Sequence, residues 1–239
     1  MNLTTLPPWE SFASASGFHL ALTLAAWTLA DGLARRFGRP AWLNPVVVSA
    51  VIIVVALLAL RESYERYFAA SQLIHALLGP ATIALALPLY AHRRRIADNW
   101  VPVVVALVTG VITAIAVAIG IGLALGVSSD TLRTLAARAA TAPVAMAITG
   151  PLGGIASLAA VMAVATGMLG AMIAIPLLRR CRIGSPAAIG LAIGTVSHGI
   201  GTARALQESE EMGAFAALAM ALAAPIATVL VPALVMALA

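Results

Sequence analysis

Long runs without a charged residue, separated by short polar loops, make up most of this chain. Six runs contain no Asp, Glu, Lys or Arg: residues 40–60, 67–92, 99–129, 139–178, 183–203 and 212–239. Each is long enough to cross a bilayer as a helix, which takes roughly 20 residues. Residues 11–30 form another apolar segment, and no basic stretch precedes it as in a cleaved signal peptide. The pattern predicts an all-α integral membrane protein with about seven to eight hydrophobic segments.

Composition and charge agree with this class. The 239 residues are 62% hydrophobic and 10% charged, which is more apolar surface than one soluble core can bury. The net charge of +5 comes from arginines in the loops, so we interpret it as a topology signal and expect no nucleic-acid partner. By the positive-inside rule, the arginine clusters within residues 35–39, 93–95 and 179–182 face the cytoplasm, and the N-terminus lies outside.

The run at residues 139–178 has 40 positions, enough for two crossings. Two crossings would place the arginines of 179–182 outside, against the positive-inside rule. We therefore expect residues 141–150 to enter the membrane and return, followed by one span from about 155 to 178. Pro143, Gly150 and Pro151 supply breaks for such a re-entrant element.

An internal repeat is also predicted. Residues 79–92 align with residues 185–198 without a gap and share six identical positions. An odd number of predicted crossings separates the two halves, 12–125 and 131–239, so they would be inverted within one membrane domain, an arrangement common in secondary transporters. The alternative is a chance match between helices rich in Ala and Leu.

Residues 195–204, Thr-Val-Ser-His-Gly-Ile-Gly-Thr-Ala-Arg, are the polar exception within the apolar chain. Polar groups and glycine-broken backbone at membrane depth are tolerated where they are buried in protein or line a wet cavity. This favours a substrate site on a broken helix. An ordinary helix end, with Gly199 and Gly201 as caps and Arg204 in an aqueous loop, is equally compatible with the composition. Whether residues 186–204 cross the membrane or return is left open.

The chemistry of these residues suits an anion. Helix N-termini, such as those predicted near Thr141 and Pro143, present N–H groups and a positive dipole end to a carboxylate. Arg204 is the candidate for a charge-assisted contact. His198 either couples transport to protons or is a neutral histidine that bonds a helix carbonyl. A Ser197–His198 pair without an acidic partner does not indicate an enzyme, and the histidines and single cysteine have no metal-ligand spacing.

Several motifs together resemble the LrgB/CidB family. They are Asn44-Pro45, Leu78-Gly79-Pro80-Ala81-Thr82, the Thr-Ala-Pro-Val-Ala-Met stretch 141–146, Gly153-Gly154-Ile155, Thr166-Gly167, Leu169-Gly170, Ser185-Pro186, the Ser-His-Gly-Ile-Gly-Thr-Ala-Arg stretch 197–204 and Gly213-Ala214-Phe215. The resemblance spans nearly the whole chain from about residue 12. Where the family usually has Lys-Ser-Val-Thr-Thr-Pro, this chain has Arg138-Ala139-Ala140-Thr141-Ala142-Pro143. The loss of two hydroxyl groups puts the identity of the substrate in doubt.

The resemblance implies one of two functions in a bacterial inner membrane. The first is secondary transport of small 2-hydroxy or 2-oxo monocarboxylates such as glycolate, glycerate, pyruvate or lactate, as in the plastidial glycolate/glycerate translocator. The second is antiholin-like control of murein hydrolase export and lysis with an LrgA/CidA-type membrane partner. We rank transport by a homodimer first, with no cofactor and no metal.

The expected substrate-binding residues lie in two stretches, with secondary candidates elsewhere. The first set is Thr141, Pro143, Met146, Ser197, His198, Gly199, Gly201, Thr202 and Arg204, and the secondary set is Asn44, Pro45, Pro80, Thr82 and Glu208.

Overall fold

The computed structural model describes residues 9–40 and 42–237, which form α-helices and no β-strand. In chain order the helices are α1 (Trp9–Arg36), α2 (Pro45–Leu60), α3 (Tyr64–Ala70), α4 (Gln72–Ala76), α5 (Leu78–Ala84), α6 (Ala86–Ala91), α7 (Arg93–Asp98), α8 (Trp100–Ala124), α9 (Ser129–Ala137), α10 (Ala142–Thr149), α11 (Ala156–Arg180), α12 (Pro186–Glu208) and α13 (Glu210–Ala237). The all-α membrane class is confirmed.

The number of full spans is lower than the seven to eight hydrophobic segments expected. Within the described residues, four stretches are long and apolar enough to cross a membrane: Gln72–Ala91, α8, α11 and Glu210–Met236. A fifth is possible if α2 and α3, which meet at a bend of 119°, make one span. The difference arises because α2 has only 16 residues, because α1 and α12 include polar residues, and because residues 139–178 yield one long helix.

The chain divides into two compact units, Met1–Ala84 and Leu85–Ala239. In the first unit α1 packs against α2 and α3. The Thr23 hydroxyl lies 2.8 Å from the Tyr67 hydroxyl, and Asp31 forms ion pairs with Arg35 and Arg39 at the end of α1. The predicted division into inverted halves at residues 125–131 stays a prediction.

In the second unit α12 reverses direction at His198, whose backbone has φ 47° and ψ −129°. Ile189 and Ala205 belong to one core cluster, although a straight helix would separate them by roughly 24 Å. A Cβ at Gly201 would lie 2.7 Å from the Ile193 carbonyl oxygen, so the two arms touch. The segment therefore returns instead of crossing, which answers the question left open by the sequence. We call residues 186–208 hairpin B and Ser197–His198 its tip.

Helices α9 and α10 form a second reversal, hairpin A, with its tip at residues 138–141. The two helices pack against each other, and Gly154, beyond the end of α10, lies against both Thr134 of α9 and Thr149 of α10. The backbone N–H of Ile155 donates to the Thr134 hydroxyl at 2.9 Å. Residues 141–150 were expected to enter and return by themselves, but the structure forms the reversal from α9 and α10 together, and residues 142–149 are only its second helix.

The two hairpins occupy opposite halves of α8 and α13. Hairpin B packs with Val103 and Leu107 of α8 and with Phe215 and Ala219 of α13. Hairpin A packs further along both helices, in a cluster that includes Val111, Ile115, Ala136, Ala137, Ala140, Ala223 and Ala227. Since α8 and α13 run from the same end, the hairpins enter the bundle from opposite ends and their tips meet near its middle.

Ion pairs tie together the end where hairpin B begins and ends. Glu211 of α13 pairs with Arg95 at 2.9 Å, and Glu208 pairs with Arg179 of α11 at 2.7 Å. The arginine clusters at 93–95 and 179–182 therefore lie at the same end of this unit, as the predicted topology requires. The side of the membrane that this end faces stays a prediction.

Candidate functional site

The break in α12 falls on His198 and not on the glycines that follow it. A positive φ is strained for a residue with a side chain, at a cost of about 1–3 kcal/mol. Gly199 and Gly201 have no positive φ. Because Gly201 lacks a side chain, the second arm of hairpin B can approach Ile193 of the first arm. Non-glycine residues held in such conformations are concentrated at functional sites, which makes the tip the first place to look for one.

The tip carries polar atoms without partners. Within the described residues, the Ser197 hydroxyl and both ring nitrogens of His198 have no hydrogen-bond partner, although Ser197 is 1% and His198 6% exposed. Leaving a buried polar group unpaired costs about 1–3 kcal/mol. The imidazole is therefore not satisfied by a helix carbonyl, and the tip has donors and acceptors available for a bound molecule. By contrast, the Thr202 hydroxyl donates to the His198 carbonyl at 2.8 Å.

The tip of hairpin B packs against two glycines of α11. A Cβ at Gly167 would lie 3.3 Å from the Ser197 carbonyl oxygen, and one at Gly170 would overlap the Ser197 hydroxyl. Both positions are near the middle of the 25-residue α11. The tip is thus held at mid-length of a helix long enough to span the membrane.

Because the strain is at His198, we predict that His198→Gly stabilises the fold by about 1 kcal/mol while removing the imidazole from the site. The measurement is the melting temperature of the detergent-purified protein. Val196→Gly is the control, since Val196 is helical and exposed, and should destabilise by about 1 kcal/mol. If His198→Gly and Val196→Gly lower the melting temperature equally, the backbone at His198 is not strained.

Arg204 lies at the base of hairpin B and not at its tip. Its guanidinium donates to Glu208 Oε1 at 2.6 Å, while Glu208 Oε2 accepts from Arg179 at 2.7 Å. The Arg204 side chain is 13% exposed. In this structure the carboxylate that Arg204 binds is therefore that of Glu208, a secondary candidate of the sequence analysis.

The residues expected at 141–146 belong to hairpin A. Thr141 is the N-cap of α10 but makes no side-chain capping hydrogen bond. Pro143 lines an apolar cavity of about 550 Å³ with residues of α10 and α13, and Met146 is exposed. Thr141 therefore belongs to the tip of hairpin A, whereas Pro143 lines the apolar cavity against α13 and Met146 is exposed.

The remaining candidates lie in the first unit and have local roles. Asn44 is buried and caps α2 by accepting from the Val46 N–H at 2.9 Å, and Pro45 opens that helix. Pro80 and Thr82 are exposed in α5, where the Thr82 hydroxyl donates to the Leu78 carbonyl at 2.7 Å.

Two cavities in the second unit adjoin the tips. One, of about 550 Å³, lies among α8, α12 and α13, and its polar lining consists of Arg95, Asn99, Ser185 and Thr195. The other, of about 510 Å³, is lined by Thr109, Thr113, Arg138 and apolar residues. Both include Ala106, Gly110 and Val196, so they meet beside the residue that precedes Ser197.

These lining residues were not among the site candidates drawn from the sequence. Thr109 and Thr113 are four apart in an apolar helix, a spacing that places both hydroxyls on one face. Within the described chain, no group of three or more His, Cys, Asp or Glu residues comes together as a metal site.

Comparison with known proteins identifies the family. The model of the LrgB-like family matches residues 23–237. The holin-like protein CidB of Staphylococcus aureus is 33% identical over 91% of this chain and 94% of its own length. A Bacillus subtilis protein named as uncharacterized protein YxaC is 32% identical over 86% of this chain and 89% of its own length. No solved structure matches. The chain belongs to the LrgB-like family, as a multi-pass membrane protein.

Proposed function

We propose that this protein is a secondary transporter of small organic anions, with 2-hydroxy and 2-oxo monocarboxylates such as glycolate, glycerate, pyruvate and lactate as its substrates. The observation that supports this most strongly is the broken helix of hairpin B. Its tip holds an unpaired hydroxyl and an unpaired imidazole in a buried position near the middle of α11.

The helix ends add to this site. The second arm of α12 begins after the break, and α10 begins at the tip of hairpin A, so two helix N-termini start near the middle of the bundle. Unpaired N–H groups and positive dipole ends at these positions favour an anion. The Ser197 hydroxyl and His198 imidazole would donate hydrogen bonds to the carboxylate or to the adjacent hydroxyl or oxo group.

Transport requires exposure of this site to each side in turn. Hairpins A and B enter from opposite ends and each covers one half of α8 and α13. Movement of the hairpins would therefore open one side while the other stays closed. In this proposal the working form is a homodimer in the bacterial inner membrane with its N-terminus outside, and His198 is the group through which protons are coupled.

The second candidate function is holin-like control of cell lysis together with an LrgA/CidA-type partner. The name of the Staphylococcus relatives, holin-like protein CidB, supports this candidate more directly than it supports transport. Changes in metabolite or proton flux through a carrier would also alter lysis, so the two functions need a direct test.

That test is uptake by proteoliposomes of the purified protein alone, with radiolabelled glycolate, glycerate, pyruvate and lactate, with and without a pH gradient. We expect saturable uptake that Ser197→Ala reduces at least about tenfold, because a hydrogen bond to a charged group contributes about 1.5–3 kcal/mol. Ser157→Ala is the matched control, since Ser157 is exposed on α11.

The same proteoliposomes also test the holin-like function. Absence of saturable uptake, combined with release of trapped dyes and dextrans regardless of their size, would contradict the carrier and support the holin-like function.

A further inference from the structure

Arg138 lies near the middle of the bundle and has no acidic partner in residues 9–40 and 42–237. It caps α9 at the tip of hairpin A. Its Nη1 donates to the Thr166 hydroxyl of α11 at 3.4 Å, and no ion pair of Arg138 is found among the described residues. A half-buried guanidinium that lacks a carboxylate is costly to place away from water, so an anion bound there would relieve an existing penalty.

The position of Arg138 connects the two hairpin tips. Thr166 precedes Gly167, the residue against which the Ser197 carbonyl packs. Arg138 also lines the cavity of about 510 Å³ together with Val196, which precedes Ser197. The guanidinium and the unpaired polar atoms of hairpin B therefore approach the same point of α11 from opposite ends of the bundle.

Apart from Arg138, this cavity is lined by two threonines and by apolar residues. Thr109 and Thr113 line it from α8, where the Thr109 hydroxyl already donates to the Val105 carbonyl at 2.7 Å and can only accept from a ligand. The other lining residues are Ala106, Gly110, Ala114, Val117 and Val196. Arg138 is the one charged residue in this lining. The site thus offers one positive charge and two hydroxyl groups.

We propose that Arg138 is the residue that binds the carboxylate of the transported anion, in the cavity bounded by α8 and the two tips. This inference rests on the proposed transport function and moves the positive charge of the site from Arg204 to Arg138. A guanidinium binds a carboxylate through two parallel hydrogen bonds. With a single positive charge, the site takes monocarboxylates in preference to dicarboxylates.

The first experiment measures binding, independently of transport. The melting temperature of the detergent-purified full chain is titrated with glycolate, pyruvate, succinate and, as a reference anion, chloride. We expect glycolate and pyruvate to stabilise the wild type more than the other two anions. Arg138→Gln should weaken this binding by roughly 10- to 100-fold and Arg138→Lys by less, because lysine keeps the charge without the planar fork.

Arg133→Gln is the matched control. Arg133 lies on the same helix as Arg138, is paired with Asp130 and is outside the cavity lining. Binding by this variant should equal that of the wild type.

The second experiment restores the charge chemically. The chain has one cysteine, Cys181, which is exposed. In a Cys181→Ser background, Arg138→Cys should react with methanethiosulfonate reagents from the aqueous side, more slowly when glycolate is present. The ethylammonium reagent should restore uptake and the ethylsulfonate reagent should not.

The outcomes separate this inference from the transport function. Binding and uptake unchanged in Arg138→Gln would overturn the role of Arg138 and leave the carrier intact. Arg138-dependent binding without uptake would support the site and contradict the carrier. A wild type that neither binds nor takes up any of these acids would contradict both.

Discussion

Replacing Gly194 with valine is expected to prevent hairpin B from packing against α13 and to abolish most of the folded protein. A Cβ at Gly194 would lie 2.7 Å from the Ala216 Cα, and Gly190 makes a similar approach to Met212 and Phe215 one turn earlier. The obstructing atoms belong to the backbone of α13, which cannot rotate away as a side chain does. The cost should therefore exceed the roughly 1–3 kcal/mol that is typical of an overpacked core.

The measurement is the yield of monodisperse protein and its melting temperature in detergent. Gly120→Val is the control, because Gly120 is also inside a helix but has no atom within 4 Å of the position of its Cβ. If Gly194→Val and Gly120→Val behave alike, the close contact of α12 with α13 does not hold the fold together.

Glu208→Ala is expected to destabilise the protein by about 2–3 kcal/mol, because it leaves Arg204 without its carboxylate. Removal of one partner of a fully buried ion pair costs roughly 3–5 kcal/mol, and this pair is only partly buried. Glu210→Ala is the matched control, since Glu210 is exposed and lies two residues away. Melting temperatures in detergent measure the difference.

The double variant Arg204→Met with Glu208→Leu tests whether these two charges contribute to protein stability or to substrate binding. Apolar replacement of both partners should recover most of the stability lost in Glu208→Ala, and binding of glycolate should be retained. If the double variant is stable but no longer binds glycolate, Arg204 is part of the substrate site.

Hairpin B has two regions for which we expect different roles: its base contributes to stability and its tip to binding. At its base, Arg204, Glu208 and Arg179 connect the end of α12 to α11. At its tip, Ser197 and His198 leave polar atoms unpaired. A polar motif of ten residues therefore supplies a structural ion pair at one end and a candidate binding site at the other.

Sequence patterns were sufficient for the membrane class and the family, and they located a break near residues 141–150 without showing that α9 forms the other arm of the reversal. Apolar runs are a local property, and the glycines and prolines that interrupt them are visible in the chain. Candidate spans are fewer than the seven to eight hydrophobic segments, because hydropathy does not distinguish a helix that crosses from one that folds back on itself. At 186–208 the reversal is visible only in the packing of the two arms, where Ile189 and Ala205 belong to one core cluster and Gly201 lies against Ile193, and no local signal reports it.

The position of the break illustrates the same limit. Glycine is the residue that most readily adopts a positive φ, so Gly199 and Gly201 were the natural places for a cap. The structure instead puts the positive φ at His198. Packing of the two arms, with Gly201 against Ile193, determines where the turn must be.

By itself, the sequence determined that this chain is an all-α membrane protein of the LrgB-like family with an unusual polar stretch near residue 198. These features follow from composition, periodicity and motif order. Only the tertiary structure decided that Arg204 pairs with Glu208, while Arg138, 66 positions before it, donates to Thr166 and has no carboxylate partner in the part of the chain that the structure describes. The reason is that the partner of a charge depends on which helices pack together, and that packing joins residues far apart in the chain.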